Sequence, residues 1–229
     1  MAIDERIDSV TENGAAPRII LVDDHASLRE SLAHWLSNAS FEVVAHFDRA
    51  DGAVEEIEKH KPDIVLLDID MPGLEAFRAA RMIFERSPNT KIVFLSAFTN
   101  EVYIRQVLEL KASGYLSKSE SPVTIVDSLR SVVNGGVCFS AEVRERLVVG
   151  ESGATLDGDA KTRVSLLTAR ELEILRYVAR GWTHRQIAEA AGVRPKTIDN
   201  HVSNIMNKLR IHDRVELALF AVREGIASG

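Results

Sequence analysis

Residues 62–73 read Pro-Asp-Ile-Val-Leu-Leu-Asp-Ile-Asp-Met-Pro-Gly, and this stretch decides the fold. Its four aliphatic residues, Ile64 to Leu67, are typical of a strand that is buried on both faces of a parallel sheet. Pro72 and Gly73 then end the strand in a loop. A lone Asp at such a place often only caps a turn, but burying its charge is costly unless the site uses it. Asp68 is therefore the first candidate for a functional residue.

Three further apolar runs end in polar residues in the same way. These polar ends are Asp23 and Asp24 after residues 18–22, Ser96 after residues 91–95, and Lys118 after residues 114–117. Helical patterns separate the runs, and strands that alternate with helices predict an α/β fold with a doubly wound parallel sheet. Right-handed crossovers place the carboxyl ends of parallel strands at one edge, so we expect these polar groups to converge there.

Such a group of side chains favours phosphoryl chemistry. Clustered carboxylates repel one another and favour a hard divalent cation, and Mg²⁺ suits one or two carboxylates together with a phosphate. With the charge neutralised, Asp68 could attack a phosphoryl group as a nucleophile. Lys118 would bring a positive charge to the phosphoryl oxygens, and Ser96 a hydrogen bond. The predicted product is an aspartyl phosphate.

Residues 17–138 resemble the receiver domain of two-component response regulators. The residues that carry the resemblance, in the family's order, are Asp23, Asp24, Asp68, Ser96, Tyr115 and Lys118. The resemblance implies a flavodoxin-like, doubly wound sheet of five parallel strands. It also implies that Asp24 and Asp68 bind Mg²⁺ directly. It also implies that Asp23 helps through water and that Asp70 contributes its backbone carbonyl.

The same resemblance implies that Asp68 takes its phosphoryl group from a sensor histidine kinase. Ser96 and Tyr115 would be the switch pair that responds to the phosphoryl group, and Lys118 would contact it. The sequence departs from the family where residues 71–75 read Met-Pro-Gly-Leu-Glu, because the usual loop is longer. The short loop borders the site and affects its geometry, the choice of kinase and the lifetime of the phosphoryl group.

Two capping boxes begin helices in the last third of the chain. They are formed by Thr168 with Glu171 and by Thr183 with Gln186. After a glycine turn, Pro195 stands at the first position of a third helix, where its missing N–H costs nothing. Two helices joined by a short glycine turn indicate a helix-turn-helix, although a small helical docking domain would have the same geometry.

The region from about residue 163 to residue 226 resembles the LuxR-type DNA-binding domain of NarL/FixJ regulators. The stretches Leu167–Glu171, Ile187–Ala188, Gly192–Val193 and Lys196–Val202 carry the resemblance. It implies a domain of four helices with residues 195–209 in the major groove. The candidate DNA-binding residues are Arg194, Lys196, Thr197, Asn200, Ser203, Asn204 and Lys208. Among them, Lys196 and Asn200 are suited to base edges.

Two residues of this motif are unusual for the family. Asp199 stands where many members carry Lys, and its carboxylate would either repel phosphate or accept a hydrogen bond from a cytosine amine. Arg194 stands where Ser or Thr commonly caps the recognition helix, and its side chain cannot do so. We therefore expect Arg194, like Lys208, to meet a DNA phosphate.

The last helix is expected to take part in a dimer. Val215, Leu219 and Val222 form one apolar stripe, while Leu217 and Phe220 point elsewhere, which is more apolar surface than one core face needs. Two helix-turn-helix units bind half-sites about one helical turn apart, so phosphorylation is expected to favour a homodimer.

Charge divides the chain in the same way as the motifs. Residues 1–159 carry 27 acidic and 16 basic side chains, and residues 160–229 carry 7 and 12, so an acidic module precedes a basic one. This asymmetry suits regulation combined with DNA binding, although charge also serves solubility. The predicted boundaries are a disordered extension at 1–16, the receiver at 17–138, a helical tail and flexible linker at 139–162, and the DNA-binding domain at 163–229.

Composition excludes several other classes of protein. The single cysteine, Cys138, allows neither an internal disulfide nor a cysteine-rich zinc site. No apolar run approaches the roughly 18 residues of a membrane span, and no signal peptide is recognisable, so we predict a cytoplasmic protein without a membrane partner.

The sequence therefore predicts a DNA-binding transcription regulator of a two-component system, controlled by phosphorylation and not an enzyme beyond self-dephosphorylation. One alternative is a regulator whose receiver takes no phosphoryl group and works by protein contact. Another is a phosphatase of the haloacid-dehalogenase type, in which Asp68 would be the nucleophile and Asp70 the general acid and base. That pattern leaves Asp23 and Asp24 without a role.

Overall fold

A computed structural model describes residues 15–150, 153–156 and 163–226. Its first half is built on a sheet in which every neighbouring pair of strands is parallel. The strands are β1 (Arg18–Val22), β2 (Glu42–Phe47), β3 (Ile64–Asp68), β4 (Lys91–Ser96), β5 (Gly114–Ser117) and β6 (Cys138–Phe139). Their spatial order is β2-β1-β3-β4-β5-β6, so the doubly wound parallel fold is confirmed.

The sheet has six strands where the sequence predicted five. The additional strand, β6, has two residues and pairs Cys138 with Gly114 and Phe139 with Tyr115. A strand of two residues is too short to show a period-two pattern, so the hydrophobic pattern could not predict it.

Five helices cover the two faces of the sheet. They are α1 (Ala26–Asn38), α2 (Ala50–His60), α3 (Ala76–Arg86), α4 (Glu101–Glu109) and α5 (Pro122–Val133). Successive side chains of a strand point to opposite faces, so Ile20 and Val22 pack into one apolar layer and Ile19 and Leu21 into the other. The central strands are buried on both faces, which is why they read as continuous aliphatic runs.

The short loop after β3 leads directly into the cap of α3. The Glu75 carboxylate accepts hydrogen bonds from the backbone amides of Phe77, at 3.1 Å, and Arg78, at 2.8 Å. Because the first amides of a helix have no partner within it, this contact begins α3 with few loop residues. The loop between β3 and α3 therefore stays close to the end of β3.

The sequence predicted a helical tail and flexible linker at residues 139–162, of which the structure describes 139–150 and 153–156. A short helix, α6 (Ala141–Arg144), is followed by β7 (Leu147–Gly150) and β8 (Gly153–Leu156), which pair antiparallel. The linker prediction is thus wrong at these two strands, where β-branched Val148, Val149 and Thr155 favour extended backbone. The prediction of disorder for residues 1–16 concerns residues of which the structure describes only the last two.

The second half is all helical. After a 3-10 turn at Arg163–Leu166, it forms α7 (Ala169–Ala179), α8 (His184–Ala190), α9 (Pro195–Leu209) and α10 (Arg214–Arg223). These are the four helices that the sequence predicted. Both predicted capping boxes form, at the start of α7 and of α8. Gly192 lies at φ 65° in the turn between α8 and α9, a conformation that glycine adopts at little cost.

Helix α7 is buried on two sides. Leu172 and Leu175 face the core of the helical half, yet the polar Glu173 and Arg176 of the same helix are also buried. Their cover is the receiver half, since Arg176 bonds to the backbone of Ile69 next to β3. The two halves therefore dock through α7 at the carboxyl edge of the sheet. Among the described residues, none of the helices has the length and hydropathy needed to cross a membrane.

Candidate phosphorylation site and DNA-binding surface

The carboxyl edge of the sheet brings the predicted acidic residues and Lys118 together. Asp68, the last residue of β3, is fully buried, and its Oδ2 lies 2.7 Å from the Lys118 Nζ. The same ammonium lies 2.9 Å from Oδ2 of Asp23, which follows β1. The ends of three parallel strands, β1, β3 and β5, thus deliver one polar network, as expected for strand ends at a common edge.

The pocket holds more negative than positive charge. Burial raises the pKa of Asp68 to about 7, because the buried carboxylate loses its hydration. Lys118 opposes this rise, while Asp23 and Asp70 add to it. Burial also disfavours the Lys118 ammonium, but the pull of Asp68 and Asp23 outweighs burial and raises the pKa of Lys118. A further cation would therefore be stabilised here.

The donor set of the pocket fits a hard divalent metal ion. Asp23, Asp24, His25 and Asp68 each offer a ligand atom, and these atoms lie within 4.8 Å of one another. Carboxylate oxygens are the ligands that Mg²⁺ prefers. The Asp70 amide donates to Oδ1 of Asp68 at 2.9 Å, which holds the backbone of Asp70 beside the same carboxylates.

His25 is a residue of this pocket that sequence reasoning missed. Its Nδ1 lies 2.7 Å from Oδ1 of Asp24 and 3.3 Å from Oδ1 of Asp23. The imidazole therefore orients the acidic pair from the solvent side. Its position directly after Asp24 was the only signal in the sequence that could have indicated it.

The predicted switch pair is anchored on the loop that follows β4. The Ser96 hydroxyl donates to Oδ2 of Asp70 at 3.0 Å and accepts from the Phe98 amide at 3.1 Å. The Tyr115 hydroxyl donates to the Phe98 carbonyl. Ser96 and Tyr115 are both buried and are joined through Phe98, so a movement of one can reach the other.

Arg176 is the second residue that sequence reasoning missed. It comes from α7 in the helical half, and its Nη1 donates to the Ile69 carbonyl at 3.0 Å and pairs with the Asp70 carboxylate. Its guanidinium also lies over the Tyr103 ring, 5.3 Å from the centroid. In the sequence Arg176 looks like an exposed residue beside the apolar stripe of α7, because the pattern of one helix does not show what packs on its polar face.

The recognition helix α9 keeps its outward face free of the receiver. Lys196, Asn200, Ser203 and Asn204 are exposed, and Thr197 is half-buried. Side chains that read a groove must be reachable by DNA, and the docked receiver leaves these four open. The domain arrangement therefore does not cover the predicted reading surface.

The other predicted DNA contacts have local settings of their own. Arg194 is exposed at the start of α9, and its side chain forms no capping bond to the helix. The Lys208 ammonium lies 2.6 Å from the carboxylate of Glu171 in α7, so DNA phosphate would have to compete with that pair. Asp199, the unusual acidic residue, lies 2.5 Å from Nδ1 of His184. His184 thus holds the carboxylate between α8 and α9, which the sequence did not indicate.

The apolar stripe of α10 is open to solvent. Val215 is 71%, Leu219 51% and Val222 39% exposed, whereas Leu217 and Phe220 are buried in the core of the helical half. The structure thus separates the two sets of apolar residues as the sequence predicted. Exposed large apolar side chains in one row are characteristic of contact surfaces.

Comparison with known families decides what these two halves are. Residues 19–130 match the family described as response regulator receiver domain, and residues 165–221 match the bacterial regulatory proteins of the luxR family. The chain is a response regulator of the NarL/FixJ type. It is a DNA-binding transcription regulator of a two-component system and not a typical enzyme, and both matches leave the phosphatase alternative without support.

Relatives along nearly the whole length agree with this assignment. The chain is 31% identical over 231 residues to the transcriptional regulatory protein DegU of Brevibacillus brevis, covering 95% of this chain and 97% of DegU. It is 33% identical over 216 residues to LnrK of Bacillus subtilis, covering 92% and 98%.

Among solved structures, the response regulator RcsB of Salmonella typhimurium has the same fold. It superposes with a TM-score of 0.72 at 20% identity and covers 92% of this response regulator and 99% of RcsB. RcsB has also been solved on promoter DNA with a phosphomimetic, and that structure superposes with a TM-score of 0.67 at 21% identity, covering 90% and 98%.

Proposed function

We propose that this response regulator works in the cytoplasm, that Asp68 is its phosphoacceptor and that a sensor histidine kinase supplies the phosphoryl group. The observation that carries the proposal is the contact of Lys118 with both Asp68 and Asp23 at the end of three strands. A buried carboxylate held by one ammonium is a nucleophile whose developing phosphoryl charge already has a partner.

Transfer forms a bond between phosphorus and a carboxylate oxygen of Asp68 while the bond from phosphorus to the imidazole nitrogen of the kinase breaks. The electron pair of the broken bond stays on that nitrogen. The Lys118 ammonium, now 2.7 Å from the Asp68 carboxylate, would pair with a phosphoryl oxygen once the phosphoryl group is attached to Asp68. The Ser96 hydroxyl, now bonded to Asp70, would turn to another phosphoryl oxygen.

Mg²⁺ is the proposed cofactor. The carboxylates of Asp24 and Asp68 and the backbone carbonyl of Asp70 would hold it, with Asp23 acting through water. When bound, the ion would neutralise the excess negative charge of the pocket and of the incoming phosphoryl group. The cluster of carboxylate oxygens within 4.8 Å of one another supports this assignment.

DNA is the proposed partner of α9. Its exposed residues Lys196, Asn200, Ser203 and Asn204 would lie in the major groove, Thr197 would border them, and Arg194 and Lys208 would meet phosphates. The modified protein would bind as a homodimer through the stripe Val215, Leu219 and Val222. Pairing two domains raises the effective concentration of the second, so affinity rises without new base contacts.

A small phosphodonor tests the proposal. After incubation of the full chain with acetyl phosphate and Mg²⁺, intact-mass spectrometry should find one added phosphoryl group. The Asp68→Asn variant should gain no phosphoryl group, because its side-chain amide is nearly isosteric with the carboxylate but is not a nucleophile. Asp127→Asn, on the exposed face of α5, is the matched control and should react like the parent.

Two outcomes would count against the proposal. Uptake by the Asp68→Asn variant at the parent rate would exclude Asp68 as the acceptor. Failure of the parent chain to react would favour the alternative of a receiver that takes no phosphoryl group and works by protein contact. The reason for considering this alternative is the short loop of residues 72–74, which borders the pocket.

A further inference from the structure

The docking contact between the two halves lies on the phosphorylation site itself. Arg176 of α7 is buried and binds the Ile69 carbonyl and the Asp70 carboxylate, one and two residues after Asp68. Nη2 of Arg180, one helical turn further along, lies 3.4 Å from the backbone carbonyl oxygen of Asp70. Two guanidinium groups of the DNA-binding domain thus contact the backbone segment that follows the phosphoacceptor.

The Asp70 carbonyl is the same atom that the proposed function assigns to Mg²⁺. Two cations that share one buried oxygen repel each other strongly, because a site shielded from water has a low effective dielectric constant. Arg176 also neutralises the Asp70 carboxylate, which removes part of the negative charge that would attract the metal ion. Docking of the helical domain and metal binding therefore oppose each other.

We propose that the DNA-binding domain, through Arg176 and Arg180, competes with Mg²⁺ for the phosphorylation site. The domain docks best on the metal-free receiver, and metal binding weakens the docking by the same factor by which docking weakens metal binding. This inference rests on the proposed function, and it makes Arg176 a positioning residue that acts on the site through Asp70.

The hydrogen bonds around Asp70 extend the same coupling to the phosphoryl group. One Asp70 oxygen pairs with Arg176, and the other accepts from the Ser96 hydroxyl at 3.0 Å. When a phosphoryl oxygen draws Ser96 away, one buried oxygen of Asp70 is left without its hydrogen-bond donor, so the docked arrangement that buries this carboxylate becomes less favourable. The Phe98 ring of the same loop lies 3.7 Å from the position that a Cβ on Gly225 would take, so this loop lies next to the helical half.

The short loop makes room for this arrangement. Pro72 and Gly73 line a cleft of about 410 Å³ together with Trp182, Glu189 and Ala190 of the helical half. Residues that a longer loop would add after Gly73 would be inserted at the edge of this cleft, next to the helical half. The departure from the family's loop length thus accompanies the docking that brings Arg176 to the site.

Metal binding to the full chain tests the competition. The free Mn²⁺ signal in electron paramagnetic resonance reports binding of Mn²⁺, which accepts the same oxygen ligands as Mg²⁺. Arg176→Met keeps a long helix-forming side chain but removes the charge, and it should bind Mn²⁺ roughly tenfold more tightly, within the usual range of coupling between sites. Arg223→Met, on the exposed side of α10, should bind like the parent.

Each outcome decides the matter. A tighter site in Arg176→Met supports the inference, because general structural damage would weaken a metal site. Equal affinities in parent and variant would overturn the competition and leave phosphorylation at Asp68 untouched. Absence of Mn²⁺ binding in every chain, together with absence of phosphoryl uptake, would overturn both proposals. If Arg176→Met lacks a cooperative thermal transition, Arg180→Met must show the same tightening, and an unchanged affinity there would overturn the inference.

Fluorescence supplies a second readout that does not depend on metal affinity. The chain has two tryptophans, so Trp35→Phe leaves Trp182, which lines the cleft between the halves. Mg²⁺ with a phosphodonor should shift the emission of Trp182 to longer wavelength as the cleft opens. An emission that stays constant at saturating metal and phosphodonor would contradict release of the helical half.

Discussion

The charged groups in the acidic pocket of the receiver are buried and paired, whereas those on the DNA-reading face of α9 are exposed to solvent. In the pocket, Asp68 and Lys118 are joined in a buried network, and removing one partner leaves an uncompensated charge. On α9, the Lys196 ammonium is exposed to solvent, where a charge costs little whether or not it is paired. The function of a buried charge can therefore be inferred from the groups that it contacts within the protein. The function of an exposed charge can be inferred only from a ligand that binds to it.

The largest expected difference concerns Lys118. Lys118→Met leaves Asp23 and Asp68 without their ammonium, and it should lower the free energy of unfolding by about 3–5 kcal/mol at pH 8. The loss should shrink at pH 5, where the Asp68 carboxyl, with its pKa of about 7, is protonated and needs no partner. Urea unfolding at the two pH values measures both quantities.

Lys59→Met is the control for that comparison, because Lys59 pairs with Glu56 on an exposed face of α2. It should leave the urea midpoint nearly unchanged at both pH values. Equal losses for Lys59→Met and Lys118→Met would remove the distinction between buried and exposed charge in this protein.

The pH dependence of stability should show the second largest effect. Because burial raises the pKa of Asp68 from 3.8 to about 7, the folded chain binds this proton more tightly than the unfolded chain. The contribution of Asp68 to stability is therefore full below about pH 4 and is lost as the pH rises towards 7. Asp68→Asn removes that loss and should raise the free energy of unfolding by roughly 2–4 kcal/mol at pH 8.

Thermal unfolding followed by circular dichroism measures this effect across the pH range. The variant and the parent should converge below about pH 3, since the Asp68 carboxyl is then largely protonated in both the folded and the unfolded state. Asp127→Asn should follow the parent at every pH, because its side chain is exposed. A gap between Asp68→Asn and the parent that stays constant with pH would show that the carboxyl of Asp68 titrates normally.

The smallest expected effect belongs to the exposed region. Arg194 stands at the N-cap of α9 without a capping bond, and a cation there opposes the helix dipole. Arg194→Ser should stabilise the protein by roughly 0.5–2 kcal/mol through a new cap. It should also weaken DNA binding about equally across sequences and flatten the salt dependence by about one counterion.

Fluorescence anisotropy on duplex DNA at several salt concentrations measures the second part. Arg185→Ser, on the exposed face of α8 and not at a cap, is a control for the general loss of a positive charge. An unchanged salt slope in Arg194→Ser would mean that Arg194 does not touch the phosphate backbone. The exposed charge of Arg194 would then make no contribution to DNA binding.

The sequence predicted elements whose causes are local. Thr168 and Thr183 cap α7 and α8 as expected, because a capping box needs only residues three positions apart. The antiparallel pair of β7 and β8 was missed, since Gly150 and Gly153, which pair at the inner ends of the two strands, belong to a composition typical of linkers. Strand β6 was not predicted because its two residues are too few to show an alternating hydrophobic pattern.

The sequence by itself determined the doubly wound parallel class of the sheet, the four helices of the DNA-binding half and the convergence of Asp23, Asp68 and Lys118. Aliphatic runs must be buried, and parallel strands must place their carboxyl ends at one edge, so no knowledge of packing was needed. Only the tertiary structure decided that Arg176 meets Asp70 and that His184 holds Asp199. A helical pattern shows which face is polar, but the partner of a polar face depends on the orientation in which two helices or two domains pack.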